Sequence, residues 1–264
     1  MPLAIDYRIS PTPSSLALAA AEFITFTLQA SVALRGRARI ALSGGNTPRA
    51  TLQLLADPAQ PFLARIPWSN LDLYFVDERT VPPTDPDSNY RMVREALLSQ
   101  LPADTLPDSQ IHRIEAELAP EVAAARYESE LRNSFRLEGA ETPTFDLILL
   151  GMGDDGHTAS IFPNTEAIYN ITSLVTANQV PQKSTTRITL TWPVINQART
   201  VFFLISGAAK APVVSAVWQG PKNPDLYPSQ LIRPSSGILT LLLDAPAAAL
   251  LPAPTEQNRG MLSI

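Results

Sequence analysis

Residues 39–56 read RIALSGGNTPRATLQLLA, and this stretch contains the pattern on which the fold prediction rests. The apolar run at residues 39–43 predicts a strand that is buried on both faces, and residues 48–56 have the periodicity of a helix. Between them, Gly44 and Gly45 permit a tight turn and a close approach of the backbone to a ligand. A strand, a turn and a helix in this order form one unit of an α/β fold.

The same kind of unit recurs along the chain. Four more apolar runs predict buried strands, at residues 71–76, 145–150, 201–206 and 237–243. Helical patterns lie around them, at residues 14–34, 89–98, 120–137 and 207–217. Shorter pieces at residues 111–114 and 187–191 fit either extra strands or extended loops. Strands that alternate with helices over this length predict an α/β fold of the Rossmann-like, doubly wound kind, with a mostly parallel sheet and helices on both faces.

The composition excludes several classes of protein. The chain has 264 residues, of which 45% are hydrophobic, so we expect one domain with a large core over residues 1–264. A net charge of −5 argues against general nucleic-acid binding, which needs a basic excess. The chain has no cysteine and only two histidines, His112 and His157. These counts exclude thiol catalysis and a histidine-rich metal site, and we expect no bound metal.

The sequence pattern shows no signal for export or membrane insertion. Arg8 follows Asp6, so the first residues lack the basic segment of a signal peptide. The apolar stretch at residues 16–33 is interrupted by Glu22 and Gln29, and no run of eighteen apolar residues occurs. We therefore expect no membrane span and a cytoplasmic location.

The first candidate site follows the strand at residues 39–43. In open α/β sheets ligands bind outside the carboxyl ends of the strands, and the free amides of a following helix suit a phosphate. We expect Asn46 or Thr47 to cap this helix and Pro48 to occupy its first position. Ser43 and the two glycines would then face an anion. An ordinary strand-to-helix turn uses the same residue types, and the spacing of a P-loop is absent.

The second candidate site follows the strand at residues 71–76. Asp77, Glu78 and Arg79 leave this buried strand together, which is costly unless they face a cleft or a partner. Arg79 could hold a phosphate or a carboxylate with two hydrogen bonds, and Asp77 could orient a donor or a water. The alternative is a solvated loop with internal salt bridges.

The third candidate site is the run GMGDDGHTAS at residues 151–160. It contains the spacing G-x-G-x-x-G, but Asp154 and Asp155 would repel a pyrophosphate, so we reject dinucleotide binding. We expect His157 to lie at a helix N-terminus, where the dipole keeps imidazole neutral, with Asp155 to fix its tautomer. That arrangement predicts a general base. The alternative is a structural histidine, which is the interpretation we favour for His112.

Two further cations lie near predicted strands. Lys210 comes about one turn into the helical pattern after residues 201–206, so it could reach back towards an anion or lie on the surface. Arg187 lies among β-formers and could bind an anion or be a half-exposed strand arginine. The residues alone leave both alternatives open.

Together these segments resemble the glucosamine-6-phosphate isomerase/6-phosphogluconolactonase superfamily. The matching motifs, in the same order along the chain, are SGGNTP at residues 43–48, VDERTVPPTDPDSNY at 76–90, LLGMGDDGHTASIFPN at 149–164, RITLT at 187–191 and GAAKAPVV at 207–214. The isomerase branch of the family has an acidic residue a few positions after its histidine, where this chain has Phe162. The resemblance therefore points to the lactonase branch.

The resemblance implies hydrolysis of 6-phospho-D-glucono-1,5-lactone to 6-phosphogluconate, in the oxidative branch of the pentose phosphate pathway. It implies that His157 activates water beside Asp155. It also implies that the turn at residues 43–47, Arg79, Lys210 and Arg187 bind the sugar phosphate, without a cofactor or a metal. An amino-sugar-phosphate deaminase/isomerase and a non-catalytic sugar-phosphate sensor remain alternatives. The sequence does not determine the oligomeric state, although a monomer fits it.

Overall fold

The computed structural model describes residues 6–252. Within this part of the chain the strands are β1 (Asp6–Ser10), β2 (Ala38–Leu42), β3 (Leu71–Phe75), β4 (Asp77–Arg79), β5 (Ile111–His112), β6 (Leu147–Leu150), β7 (Val175–Val180), β8 (Thr185–Leu190), β9 (Thr200–Ile205) and β10 (Ile238–Asp244). The α-helices are α1 (Pro13–Arg35), α2 (Asn46–Ala56), α3 (Phe62–Arg65), α4 (Asn89–Ala96), α5 (Pro120–Phe135), α6 (Trp192–Asn196) and α7 (Ala211–Trp218). All five strands predicted from apolar runs are present, with ends within two residues of the predicted ones.

Seven strands form one parallel sheet in the order β1-β10-β9-β6-β2-β3-β5. All four residues of β6 are fully buried. Because successive side chains of a strand point to opposite faces, burial of the whole strand means that both faces of the sheet centre are covered. The prediction of a Rossmann-like, doubly wound α/β fold is confirmed.

A second sheet was not predicted. It is antiparallel, has the strand order β4-β8-β7, and pairs Asp77 with Thr189 and Arg79 with Arg187. The chain passes from β3 into β4 across the buried Val76. Three consecutive charged residues are depleted in strands, so the pattern suggested a loop where the structure has a strand.

Helix α1 is a core helix of this fold, although by length and composition it could cross a membrane. Leu16, Ala20 and Ile24 are fully buried, and the helix packs on β10 and β2. Thr12 caps its first turn by accepting a hydrogen bond from the Ser15 amide. A packed apolar helix of this kind is weak evidence for a membrane, and the expectation that no segment spans one stays a prediction.

Candidate active site

The predicted site residues meet at the carboxyl ends of the central strands of the parallel sheet. Strands β9, β6, β2 and β3 are neighbours in the sheet, so their carboxyl ends lie side by side over about 14 Å. A cavity of about 430 Å³ opens there. It is lined by Ser43, Gly44, Gly45, Thr47, Asp77, Arg79, His157, Arg187 and Lys210. Of the predicted site residues, Asp155 alone does not line the cavity, and it contacts His157 instead.

The turn after β2 brings the start of α2 to the cavity. The expected cap by Asn46 or Thr47 is wrong, as is the placement of Pro48 in the first position: Gly45 is the N-cap, Asn46 begins the helix, and no side chain caps it. Gly45 has φ 112°, a conformation that residues with a side chain rarely adopt. The helix begins at the next residue, two positions before Pro48. The uncapped amides of this turn suit an anion.

Gly44 is required by a close approach rather than by its backbone angles. A Cβ atom at this position would lie 1.7 Å from Oδ1 of Asn89, the first residue of α4. The Oγ atom of Ser43 and Oδ1 of Asn89 are buried and have no hydrogen-bond partner within residues 6–252. The turn after β2 and the start of α4 therefore pack directly on each other beside the cavity.

Arg79 and Arg187 lie directly opposite each other on β4 and β8. Neither side chain forms an ion pair within the described residues, and the buried Nε atom of Arg187 has no partner there. Burial lowers the pKa of Arg187, and the charge of Arg79 lowers it further. Like charges placed opposite each other destabilise an antiparallel pair, so this arrangement favours a bound anion between them.

Asp77 lines the cavity, but its carboxylate is held by hydrogen bonds to the loop after β6 and to the start of α4. Its Oδ2 atom accepts a hydrogen bond from the Ser160 hydroxyl at 2.7 Å, and its Oδ1 atom accepts one from the side-chain amide of Asn89 at 3.3 Å. We predicted that Asp77 could orient a donor, and the donor that it orients in the structure is the hydroxyl of Ser160. That Asp77 also contacts a ligand stays a prediction.

Glu78 is buried beside the site, and the sequence did not reveal its role there. Its carboxylate accepts hydrogen bonds from the amides of Asn89 and Tyr90, at 2.7 and 2.8 Å, and from the Ser88 hydroxyl at 3.1 Å. Burial raises the pKa of Glu78 above its ordinary value, although these amides oppose the change. Glu78 thus fixes the start of α4 against β4 and holds the loop that begins with Arg79. No local spacing reveals a cap supplied from eleven residues away.

His157 and Asp155 form a hydrogen-bonded pair at the cavity wall. The Nδ1 atom of His157 lies 2.5 Å from Oδ1 of Asp155, which also accepts the His157 amide at 3.1 Å. The imidazole stacks on Phe162, with ring centroids 3.9 Å apart and an interplanar angle of 22°. A Cβ atom on Gly153 would lie 2.1 Å from Nδ1 of His157, so a glycine is required there. With Nδ1 engaged, Nε2 is the nitrogen free to accept a proton.

The charge of Asp155 follows from its surroundings. Partial burial acts to raise the pKa of Asp155, but the hydrogen bond and the charge interaction with His157 bring it below the ordinary value. An ionised Asp155 stabilises the imidazolium that forms when His157 accepts a proton. The pair therefore has the arrangement of a general base with its orienting carboxylate.

The expectation that His157 lies at a helix N-terminus is wrong. No α-helix begins there, because the chain turns through Gly156 and Ala159, with φ 78° and 51°, and the next helical turn is the short 3₁₀ segment Glu166–Ile168. A helix dipole at this position therefore does not explain a neutral His157. What orients the ring is the contact with Asp155 and Phe162.

Lys210 reaches back from the end of β9 to the loop after β6. It lies in a 3₁₀ turn before α7, rather than a full turn inside an α-helix as the sequence suggested. Its Nζ atom donates to the carbonyl of Met152 at 2.8 Å and forms an ion pair with Asp154 at 2.6 Å. Lys183, in the turn between β7 and β8, also lines the cavity and was missed, since a lone lysine in a turn carries no signal.

His112 does not line this cavity and lies on β5, the strand that ends the parallel sheet next to β3. Its Nδ1 atom is 2.6 Å from Glu130, and its ring stacks on Tyr74 with centroids 4.3 Å apart. These contacts agree with the structural role we favoured for it. Across residues 6–252, no group of three or more histidines or carboxylates is placed to hold a metal ion.

The fold and the site define an α/β enzyme-like protein with an anion pocket beside a histidine–aspartate pair. The family described as glucosamine-6-phosphate isomerases/6-phosphogluconolactonase matches residues 11–241. The chain therefore belongs to the glucosamine-6-phosphate isomerase/6-phosphogluconolactonase family, and the resemblance stated from its motifs is confirmed.

Relatives that match over most of their length carry the lactonase name. The chain is 40% identical to 6-phosphogluconolactonase of Synechocystis, over 83% of this chain and 87% of the relative. It is 39% identical to the human 6-phosphogluconolactonase, over 95% of this chain and 96% of the relative. The solved 6-phosphogluconolactonase of Leishmania guyanensis superposes with a TM-score of 0.83 at 29% identity, over 95% of this chain and all of that one. A monomeric glucosamine-6-phosphate deaminase, at 21% identity and a TM-score of 0.76 over 93% of this chain and all of the deaminase, shares the fold alone.

Proposed function

We propose that this chain hydrolyses 6-phospho-D-glucono-1,5-lactone to 6-phosphogluconate, as a carboxylic ester hydrolase of the oxidative pentose phosphate pathway. The observation that carries the proposal is the His157–Asp155 pair in a cavity that also holds two arginines without carboxylate partners in the described chain. A base and an anion pocket are the two parts that hydrolysis of a phosphorylated lactone requires. The names of the relatives support the same reaction.

The chemical step uses water as the nucleophile. Nε2 of His157 accepts a proton from a water whose oxygen attacks the lactone carbonyl carbon, and the carbonyl oxygen becomes an oxyanion. When the tetrahedral intermediate collapses, the bond between C1 and the ring oxygen breaks, and the imidazolium returns its proton to that ring oxygen. The acid formed at C1 then loses a proton to become a carboxylate. Asp155 stays ionised throughout and stabilises the imidazolium.

The phosphate is held away from this reacting carbon. We assign it to the turn of Ser43, Gly44, Gly45 and Thr47, with Arg79, Arg187 and Lys210 supplying positive charge. The free amides at the start of α2 and the arginine pair support this assignment, because both offer donors to an anion. Asp77 contributes by fixing Ser160 and Asn89 beside the pocket.

The reaction needs only water and side chains, so we propose that the chain works without a cofactor or a metal. We propose further that residues 1–264 form one domain that acts in the cytoplasm on a small molecule, with no nucleic acid or membrane involved. All the assigned residues come from one chain, so the site needs no second subunit and a monomer suffices.

A deaminase/isomerase is not favoured by the site. Phe162 is 5% exposed and stacks on His157, and it stands where the isomerase branch carries its acid. Ring opening and proton transfer between C1 and C2 would lack that group. A sensor is less favoured than an enzyme because the His157–Asp155 pair is complete.

The test is hydrolysis of 6-phosphogluconolactone by the purified protein, corrected for the spontaneous reaction. We expect kcat/KM for this lactone to exceed that for unphosphorylated gluconolactone strongly, because the pocket binds an anion rather than the sugar ring. Equal turnover of both lactones at matched low concentration would contradict the phosphate assignment. Ammonia release from glucosamine-6-phosphate, without lactone hydrolysis, would replace the proposed function by the deaminase.

A further inference from the structure

Asp154 has no part in the proposed mechanism, but it forms an ion pair with Lys210, one of the cations assigned to the phosphate. Its Oδ1 atom lies 2.6 Å from Nζ of Lys210. An ammonium group has three N–H donors, and the carbonyl of Met152 takes a second one at 2.8 Å. One donor of Lys210 therefore remains for a ligand, and a second becomes available if Asp154 moves away.

The two partners of this ion pair differ in their exposure. The side chain of Asp154 is 76% exposed, whereas that of Lys210 is 23% exposed and is anchored by Met152. The carboxylate can thus swing into solvent at little cost, while the ammonium stays at the cavity. An ion pair whose carboxylate lies largely in solvent is worth little by itself and is readily exchanged.

We propose that Asp154 is an exchangeable counterion of Lys210 that weakens the binding of anionic ligands and thereby favours release of the product. The inference rests on the proposed function, in which the neutral lactone becomes a carboxylate. The product then carries one negative charge more than the substrate. The negative charge of Asp154 at Lys210 therefore opposes the product more than the substrate.

The test compares Asp154→Asn with the wild type by calorimetric titration of 6-phosphogluconate. Asparagine keeps an oxygen that can accept from Lys210, so the position of the lysine is preserved while the charge is removed. We expect the Kd of 6-phosphogluconate to fall about threefold to fivefold, the upper part of the range that one solvent-accessible charge pair produces. The KM for the lactone should fall less. The difference between the two proteins in Kd should shrink in high salt, because the interaction is a screened charge effect.

Two control variants complete the experiment. Asp154→Glu retains the charge and should keep the wild-type Kd. Asp57→Asn removes the same charge after the last residue of α2, about 16 Å along that helix from the cavity, and should leave the Kd unchanged. An unchanged or raised Kd in Asp154→Asn, or an equal fall in Asp57→Asn, overturns the proposal. Failure of the proposed function is a different result, because the wild type would then neither hydrolyse the lactone nor bind 6-phosphogluconate.

Discussion

Replacing Arg187 by Met should stabilise the fold while it weakens substrate binding. Arg187 is half-buried, lies opposite Arg79 in the register of β4 and β8, and has a buried Nε atom without a partner in the described chain. Methionine has a similar length and no charge, so it removes both the repulsion and the burial of an unpaired donor. Without bound ligand, the arginine therefore costs stability that the protein recovers when an anion binds.

The size of both effects follows from these contacts. A like-charge pair opposite each other costs about 0.2–1 kcal/mol, and an unsatisfied buried donor about 1–3 kcal/mol. Attraction from nearby Asp77 offsets part of this cost, so we expect the free energy of unfolding to rise by about 1 kcal/mol and Tm by about 2–4 °C. A lost charge-assisted hydrogen bond to phosphate, worth about 1.5–3 kcal/mol, should raise KM roughly 10- to 150-fold with little change in kcat.

The assay is thermal unfolding of the wild type and Arg187→Met with and without inorganic phosphate, together with steady-state kinetics. Phosphate should raise the Tm of the wild type more than that of the variant. Arg79→Met is the matched comparison. It should also raise KM but should lower Tm, because Arg79 donates to the carbonyl of Asp87 and holds that loop. If Arg187→Met unfolds at a lower temperature than the wild type and has the wild-type KM, Arg187 neither destabilises the free protein nor binds the phosphate.

Three further outcomes test the site. His157→Gln should lose about 10²–10⁴-fold in kcat while still binding 6-phosphogluconate, whereas His112→Gln should keep nearly full turnover; a His157→Gln enzyme with more than about a tenth of the wild-type kcat would place the base elsewhere. The value of kcat/KM should fall as the pH is lowered, because a protonated His157 cannot accept a proton from water, and the lowered pKa of Asp155 favours its ionised form; a pH-independent profile would contradict the assignment of His157 as the base. Gly44→Ala should destabilise the fold by about 1–3 kcal/mol in chemical denaturation, because its Cβ would overlap Oδ1 of the buried Asn89, and a neutral effect would mean that the turn can move away.

The central sheet and the main site residues were predictable because their signals are local. Strands that are buried on both faces have continuous apolar runs, and glycines at their carboxyl ends mark turns where ligands bind. His157 and Asp155 are two residues apart, so their contact can be expected from the sequence alone. The cavity brings these residues together with Arg79, Arg187 and Lys210, as the rule for open sheets implies.

The features that sequence reasoning missed depend on distant contacts or on the backbone conformation of turn residues. Strand β4 consists of three charged residues, and only its pairing with β8, more than a hundred residues later, makes it a strand. Glu78 caps α4 across a loop, and the start of α2 is set by Gly45 rather than by its capping side chains. The helix expected at His157 is a turn, because left-handed residues at Gly156 and Ala159 redirect the chain. For β4 and the cap of α4, tertiary contacts override the local preference. At α2 and at His157, the positive φ angles of turn residues decide the path of the chain.

The pairing of β1 with β10 has a consequence for how the protein is made. Strand β1 begins at Asp6, but its partner residue is Thr240, so the first strand of residues 6–252 pairs with the last strand of that range. At about 5–20 residues per second, synthesis of the intervening chain takes more than about 10 s. During this time β1 has no strand to join, while β2, β3, β6 and β9 can already meet. The ends of these four strands can therefore come together before β10 is made, and β1 joins the sheet only after residues 240–244 have been synthesised.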